Sequence, residues 1–257
     1  MKVIILAGGY GTRISEESQF KPKPMIEIGG KPLLWHIMKI YSHWGFNEFI
    51  ICAGYKQEFI KQWLSNYYLY SSDVTFDFTE DNRIKVLQEH AEPWRVTVVD
   101  TGIGTLTGGR VKRVKEYIGS EPFMLTYGDG VADIDIPELV RTHRQNKKIV
   151  TLTGVVPEGR FGMMDLMGDA VVSFREKSEE DGGWINGGFM VCQPEVFEYI
   201  EGDDTMFERE PLEQLANEGQ LVCYKHYGFW QCMDAMRDKK RLEDLWQSER
   251  APWRLWK

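Results

Sequence analysis

The sequence predicts an α/β fold, a mixed and mostly parallel sheet with helices on both faces, joined to a smaller β-rich part. Three observations predict it. The chain opens on Val3-Ile4-Ile5-Leu6-Ala7, an unbroken apolar run of the kind a strand buried on both faces requires. Helices with one apolar stripe then alternate with strands, which sets parallel strands side by side with helices outside. Elsewhere, short segments alternate with period two and are separated by turn residues. The 257 residues allow one large α/β domain or two small ones, and such a length can bury a full core.

After the first strand and its loop, Lys31-Pro32-Leu33-Leu34-Trp35-His36 opens a helix, with Pro32 suited to the first turn. Leu33, Leu34, Ile37, Met38, Tyr41 and Trp44 share one stripe, and Gly45 supplies a stop. A second strand, Phe49-Ile50-Ile51-Cys52, is followed by a helix from Lys56 to Leu69 with Ile60, Trp63, Leu64 and Tyr67 on its face. Val74 to Phe78 and Trp94 to Val98 read as strands around an irregular polar stretch at Asp81-Asn82-Arg83. A Thr- and Gly-rich segment from Asp100 to Gly109 leads into a helix carrying Val111, Val114 and Ile118. Pro122 to Tyr127 is a short apolar strand ending in Gly128-Asp129-Gly130. Asp135-Ile136-Pro137 starts a helix whose solvated end holds Arg144, Lys147 and Lys148. Next come a strand from Ile149 to Val156 and a hairpin, Phe161 to Met167 and Ala170 to Glu176, turning at Gly168-Asp169. Ile185 to Cys192 and Gln220 to His226 read as strands; Pro194 to Ile200, Glu210 to Glu218 and Asp238 to Glu249 as helices. The apolar tail from Ala251 to Lys257 would fray unless docked, on its own body or on a neighbouring subunit.

The net charge of −8 argues against a general nucleic-acid binder, whose phosphate contacts need a basic face. Any phosphate site must therefore rest on a few placed cations. The 4 cysteines form no C-x-x-C pair, so neither a zinc site nor a redox motif is suggested. His36 and His43 sit on a helix without partners at ligand spacing and read as satisfied histidines. No apolar run reaches membrane-spanning length and no signal peptide precedes the first strand, so a soluble cytoplasmic protein with reduced thiols is expected.

Such cations follow the first strand. Leu6-Ala7-Gly8-Gly9-Tyr10-Gly11-Thr12-Arg13 is a glycine-rich loop that ends in an arginine, and Lys21-Pro22-Lys23-Pro24-Met25 comes soon after. Glycines let the backbone approach a ligand and aim N–H groups at an anion. Arg13 and Lys23 add full charges suited to phosphate, so a phosphorylated ligand, a nucleotide first of all, is expected. Neither familiar nucleotide loop fits. The dinucleotide fingerprint needs a small residue at Ile14 and an acidic residue closing the second strand, where Ala53-Gly54-Tyr55 stands. The Walker A loop needs Gly-Lys-Ser/Thr, against Gly11-Thr12-Arg13 here. Asp129, flanked by glycines at a strand end, is placed either to hold a divalent cation or to make a plain Asp-Gly turn. Tyr127 is either a stacking platform or core.

The segment from Leu6 to Arg13 with Lys23-Pro24-Met25 resembles the signature of the sugar-1-phosphate nucleotidylyltransferases. The likeness continues through Tyr127-Gly128-Asp129-Gly130, Glu176-Lys177, Asn186-Gly187-Gly188 and Phe229-Trp230-Gln231-Cys232-Met233-Asp234, and spans nearly the whole chain. It implies the Rossmann-like nucleotide-diphospho-sugar transferase fold, with residues 1–135 serving mainly the nucleotide and 136–257 mainly the sugar phosphate and oligomerisation. It also implies the reaction: a sugar-1-phosphate oxygen attacks the α-phosphorus of a nucleoside triphosphate, and pyrophosphate leaves. Asp100-Thr101-Gly102 and Thr107-Gly108-Gly109-Arg110 resemble the members that use CTP and glucose 1-phosphate.

Residue by residue, the resemblance implies that Arg13, Lys23, Asp129 and Asp234 are catalytic and that Asp129 and Asp234 hold Mg2+. Leu6, Ala7, Gly8, Gly9, Tyr10, Gly11, Thr12, Thr105, Gly108, Arg110 and Gly128 join Arg13 and Lys23 at the nucleotide. Glu176, Lys177 and Asn186 join Lys23 at the sugar phosphate; a surface ion pair is the plainer reading of Glu176-Lys177. Tyr10 stands where the family often has Leu, and Ser178 where a proline often follows the Glu-Lys pair. UTP, dTTP or GTP, another hexose 1-phosphate, or a non-catalytic nucleotide-sugar binder are the competing expectations. A homo-oligomer, a hexamer on family grounds, and product use in deoxysugar and O-antigen polysaccharide synthesis complete them.

Overall fold

The computed structural model describes residues 1–79, 83–88, 90–156, 163–167, 170–175 and 183–256; for 13, 15–16, 163–167 and 170–175 it describes backbone alone. The first strand, β1 (Val3–Ala7), is buried along its whole length, as its composition demands. A one-turn helix α1 (Ser15–Ser18) and a small hairpin of β2 (Glu27–Ile28) and β3 (Lys31–Pro32) lead to α2 (Leu33–His43). There follow β4 (Glu48–Ala53), α3 (Gln57–Tyr70), the antiparallel pair β5 (Asp73–Asp77) and β6 (Arg83–Gln88), and β7 (Arg95–Asp100). Helices α4 (Thr107–Arg113) and α5 (Lys115–Ile118) precede β8 (Phe123–Tyr127), β9 (Gly130–Ala132) and α6 (Ile136–Asn146). The second half holds β10 (Val150–Val155), β11 (Met163–Met167), β12 (Ala170–Arg175), β13 (Ile185–Cys192), α7 (Glu210–Asn217), β14 (Leu221–His226), β15 (Trp230–Cys232) and α8 (Met236–Gln247).

Seven strands form one sheet in the order β14-β10-β13-β8-β1-β4-β7. β13 pairs antiparallel with both its neighbours, and every other pairing is parallel. The alternation along β1 divides the core. Val3, Ile5 and Ala7 face a cluster built from α2, α6 and α8, while Ile4 and Leu6 face one built from Val111, Val114, Ile118, Phe197 and Leu215. Helices therefore cover both faces, as expected. β11 and β12 pair as the expected hairpin, whose turn lies outside the described residues.

Four expectations are refined. Arg83 does not belong to an irregular stretch but begins β6, whose charged and apolar residues are mostly exposed and carry no core signal. Gly108 and Gly109 lie inside the first turn of α4, not in a loop before it. The three-residue strands β9 and β15 were not foreseen, being too short to show a period. The tail docks on its own body: Trp253 is 1% exposed and stacks on Phe229 and Trp246. Among the described residues no helix is long and apolar enough to cross a membrane.

Candidate active site

The parallel strands β1, β4, β7 and β8 end on one side of the sheet, at Gly8, Gly54, Thr101 and Gly128. That is where ligands bind in open α/β sheets. Leu6 and Ala7 close β1 inside the core, Gly8 is buried, and Gly9, Tyr10 and Thr12 are exposed. Gly11 has φ +66°, a left-handed turn that favours glycine. Ser18 donates its hydroxyl to the Gly11 carbonyl at 2.9 Å and holds this turn. Tyr10, the departure from the family pattern, packs against Tyr55 with ring centroids 5.3 Å apart. Arg13 lies in the single turn Thr12–Ile14, and its side chain is outside the described residues.

Arg110 reaches the loop from behind. Its guanidinium donates to the carbonyls of Gly8 (3.0 Å), Gly102 (2.7 Å) and Ile103 (3.2 Å) and to Thr101 Oγ1 (2.8 Å). It is 4% exposed, so it braces the loops after β1 and β7 together instead of facing an open pocket. The glycine closing the second strand now has a reason. A Cβ on Gly54 would lie 2.6 Å from Arg110 Nη1, and one on Gly8 would lie 2.1 Å from it. Thr105 is buried in the same corner, 7% exposed, and Gly108 sits in α4 beside Thr205.

The centre of the site is an ammonium between two carboxylates. Lys23 Nζ lies 2.8 Å from Asp129 Oδ2 and 2.6 Å from Asp234 Oδ1. β9 and β15 bring the two aspartates together: Gly130 pairs with Cys232, and Met233 N donates to Asp129 O at 2.8 Å. Gly128 N donates to Leu6 O at 2.9 Å and ties Asp129 to the glycine loop. Asp238 caps the start of α8 by accepting from the N–H groups of Asp234 and Ala235. Burial lowers the Lys23 pKa, but Asp129 and Asp234 more than offset this and hold the ammonium above its ordinary value.

Among the described residues, one cation, Lys23, lies between the two anions. Both aspartates are about a third exposed. This donor set fits Mg2+, which takes one or two carboxylates and fills its shell with phosphate oxygens and water. Among the described residues no group of three or more His, Cys, Asp and Glu could hold a metal. Cys232 Sγ donates to Asp234 Oδ2 at 3.0 Å, a contact that the sequence reading passed over although it lies inside the matched motif.

On the opposite side, Asn186 Nδ2 donates to Tyr127 Oη at 3.3 Å, and Tyr127 donates to Glu208 Oε1 at 2.6 Å. Burial first, and Glu208 second, push the Tyr127 pKa above its ordinary value, so the phenol keeps its proton. Tyr127 is thus a half-buried bridge. Glu208 belongs to no motif, and its partners lie 81 and 101 residues away, so nothing in the sequence marked it. Glu176 and Lys177 lie outside the described residues. Thus Lys23, Asp129 and Asp234 meet at one point next to Gly128 and beside Gly11, where a Cβ would lie 3.3 Å from Lys23 Cβ, with Asn186 reached through Tyr127.

The nucleotidyl transferase family matches residues 2–234. Glucose-1-phosphate cytidylyltransferase of Salmonella typhi is 54% identical over 257 residues, covering 100% of both chains. Among solved structures, HddC from Yersinia pseudotuberculosis has a TM-score of 0.70 at 23% identity, covering 95% of this chain and 99% of that one. A UDP-glucose pyrophosphorylase complexed with UDP-glucose has a TM-score of 0.69 at 14% identity, covering 97% and 99%. Both solved structures share the fold.

Proposed function

The chain belongs to the nucleotidyl transferase family, and from that premise we propose that it transfers the cytidylyl group of CTP to α-D-glucose 1-phosphate, giving CDP-glucose and pyrophosphate. The observation that carries the reading is the Lys23 ammonium held between Asp129 and Asp234 beside the glycine loop. The full-length likeness to the Salmonella typhi enzyme supports CTP and glucose 1-phosphate as the pair.

The nucleophile is a sugar-phosphate oxygen that is already an anion. Its bond to the α-phosphorus forms as the bond to the bridging oxygen breaks, and pyrophosphate carries the electron pair away. No proton has to be removed, so the site needs no general base. It needs positive charge and in-line placement, because the two reactants repel each other. The N–H groups of Gly8, Gly9, Gly11 and Thr12 cradle the triphosphate, and Arg13 neutralises the departing pyrophosphate. Lys23 has three N–H donors, of which two reach carboxylates, and it bridges the sugar phosphate and the α-phosphate. Asp129 and Asp234 would hold Mg2+, which when bound supplies positive charge against the phosphates. Thr105, Gly108 and the segment braced by Arg110 shape the base side. Asn186, with Glu176 and Lys177, takes the sugar phosphate.

The same reading makes the protein a cytoplasmic homo-oligomer, a hexamer by family resemblance, whose product feeds deoxysugar and O-antigen polysaccharide synthesis. Size measurement in solution checks the assembly, and a clean monomer would refute it. The activity is tested by pyrophosphate release with CTP, UTP, dTTP and GTP against several sugar phosphates. CTP with glucose 1-phosphate should be fastest. No release with any pair would mean a nucleotide-sugar-binding protein instead.

A further inference from the structure

We propose that Glu208 is a positioning residue: acting through Tyr127, it sets which atom of the Asn186 amide faces the sugar phosphate. This rests on the reading above that Asn186 serves the sugar side.

The argument is one of hydrogen-bond polarity. A carboxylate can only accept. Glu208 Oε1 lies 2.6 Å from Tyr127 Oη, so the phenol proton must point at Glu208. The phenol oxygen then has only acceptor capacity left toward Asn186, 3.3 Å away, and the atom facing it must be Nδ2. The other end agrees, because Asn186 Oδ1 accepts from Gly188 N at 2.9 Å. The amide is therefore held in one of its two orientations, and among the described residues its second N–H is left over for a ligand acceptor.

Glu208 is itself anchored. Its Oε2 accepts from Thr107 Oγ1 at 2.6 Å, and that hydroxyl oxygen accepts from Phe207 N at 2.9 Å. The Tyr127 ring lies close against Gly188, where a Cβ would come within 2.5 Å of its Cδ2. Without the carboxylate the phenol can turn its proton toward Asn186. The amide then keeps only the Gly188 N–H to orient it, and the sugar phosphate meets a less firmly held Nδ2. Beyond the Thr107 hydroxyl, the base side is held by backbone bonds that do not involve Glu208. Gly108 N donates to Thr205 O (2.9 Å) and Leu106 N to Asp203 O (2.8 Å), so CTP binding should change little.

The test is steady-state kinetics on the full chain with CTP and glucose 1-phosphate, for Glu208→Ala, Glu208→Gln, Tyr127→Phe, Asn186→Ala and the double variant Glu208→Ala/Asn186→Ala. Glu208→Ala and Tyr127→Phe should raise KM for glucose 1-phosphate about tenfold, the size of one lost hydrogen bond, and move KM for CTP far less. Glu208→Gln keeps an acceptor for Tyr127 and should recover most of the loss. The double variant should be no worse than Asn186→Ala alone, because both changes remove one orienting chain. Tyr127→Phe keeps the packed ring and carries the test if Glu208→Ala does not fold. Equal changes in both KM values, or losses that add in the double variant, would overturn the proposal. If Asn186→Ala leaves KM for glucose 1-phosphate unchanged, the sugar-side reading of Asn186 falls and this inference falls with it. If Asn186→Ala raises it and neither Glu208→Ala nor Tyr127→Phe does, only this inference falls.

Discussion

At the scale of single residues, two buried ionisable groups show how placement decides chemistry. Lys23 is 8% exposed and keeps its charge because two carboxylates touch it. The same pair is the donor set that would hold Mg2+, so turnover should depend on a divalent cation. Chelation should abolish turnover and excess Mg2+ restore it. Asp234→Asn should raise the Mg2+ needed for half-activation by at least roughly tenfold, the loss that even outer partners of a metal commonly cause. An unchanged Mg2+ requirement would remove Asp234 from the metal site. His36 shows the opposite case. It is fully buried, its Nε2 donates to Ile28 O at 2.9 Å, and its Nδ1 accepts from Trp253 Nε1 at 3.3 Å. Burial outweighs the favourable contacts and lowers its pKa from 6.5 to about 4. Between those values the unfolded chain binds a proton that the folded chain does not. Stability should therefore fall as pH drops through that window and level off below it. The full shift corresponds to about 3 kcal/mol, an order-of-magnitude figure. Denaturant midpoints from pH 7 to 4 should show a weaker pH slope in His36→Gln than in the unsubstituted protein. Equal slopes would contradict the assignment.

At the scale of elements, the tail and α4 carry separable tests. Trp253 is the largest fully buried side chain, packed between Phe229, Trp246 and His36. Trp253→Ala should cost about 3–5 kcal/mol in unfolding free energy, as large-to-small core changes do, with little change in either KM. A stability loss below about 1 kcal/mol would mean the tail is not a clamp. In α4, two effects compete at Gly109. Alanine favours a helix by about 1 kcal/mol over glycine. Yet a Cβ there would sit 2.5 Å from Asp203 Cα and 2.7 Å from its carbonyl oxygen, backbone atoms that cannot rotate aside. Overpacking of this kind costs about 1–3 kcal/mol, so Gly109→Ala should destabilise on balance, measured by thermal unfolding. A rise in the melting midpoint would show that the 203–205 segment yields. The same close approach explains why the sequence read as a loop at Gly108-Gly109. The glycines answer to a distant segment, not to local backbone freedom.

At the scale of the whole molecule, what could be read from the sequence was what depends on local pattern. The buried run of β1, the apolar stripe of α2 and the glycine loop announce themselves because neighbours in sequence share one environment. The meeting of Asp129 with Asp234 was legible only by family likeness, since it depends on β9 and β15, two three-residue strands 100 residues apart in the chain. Glu208 left no trace, because the neighbours that define its role come from α4 and the end of β8. The resemblance put Arg110 at the nucleotide, while its bracing of Gly8 and Gly102 becomes visible only when three strand ends are brought together. The account as a whole depends on the Lys23 ammonium joining two anionic reactants at those strand ends. Its most direct test is pyrophosphate release from CTP and glucose 1-phosphate with saturating Mg2+, comparing Lys23→Ala with the unsubstituted protein while circular dichroism checks the fold. The account predicts a folded variant slowed about 10²–10³-fold in kcat, the usual cost of removing one group that stabilises transition-state charge. A folded Lys23→Ala protein that releases pyrophosphate at a near-normal rate would contradict it.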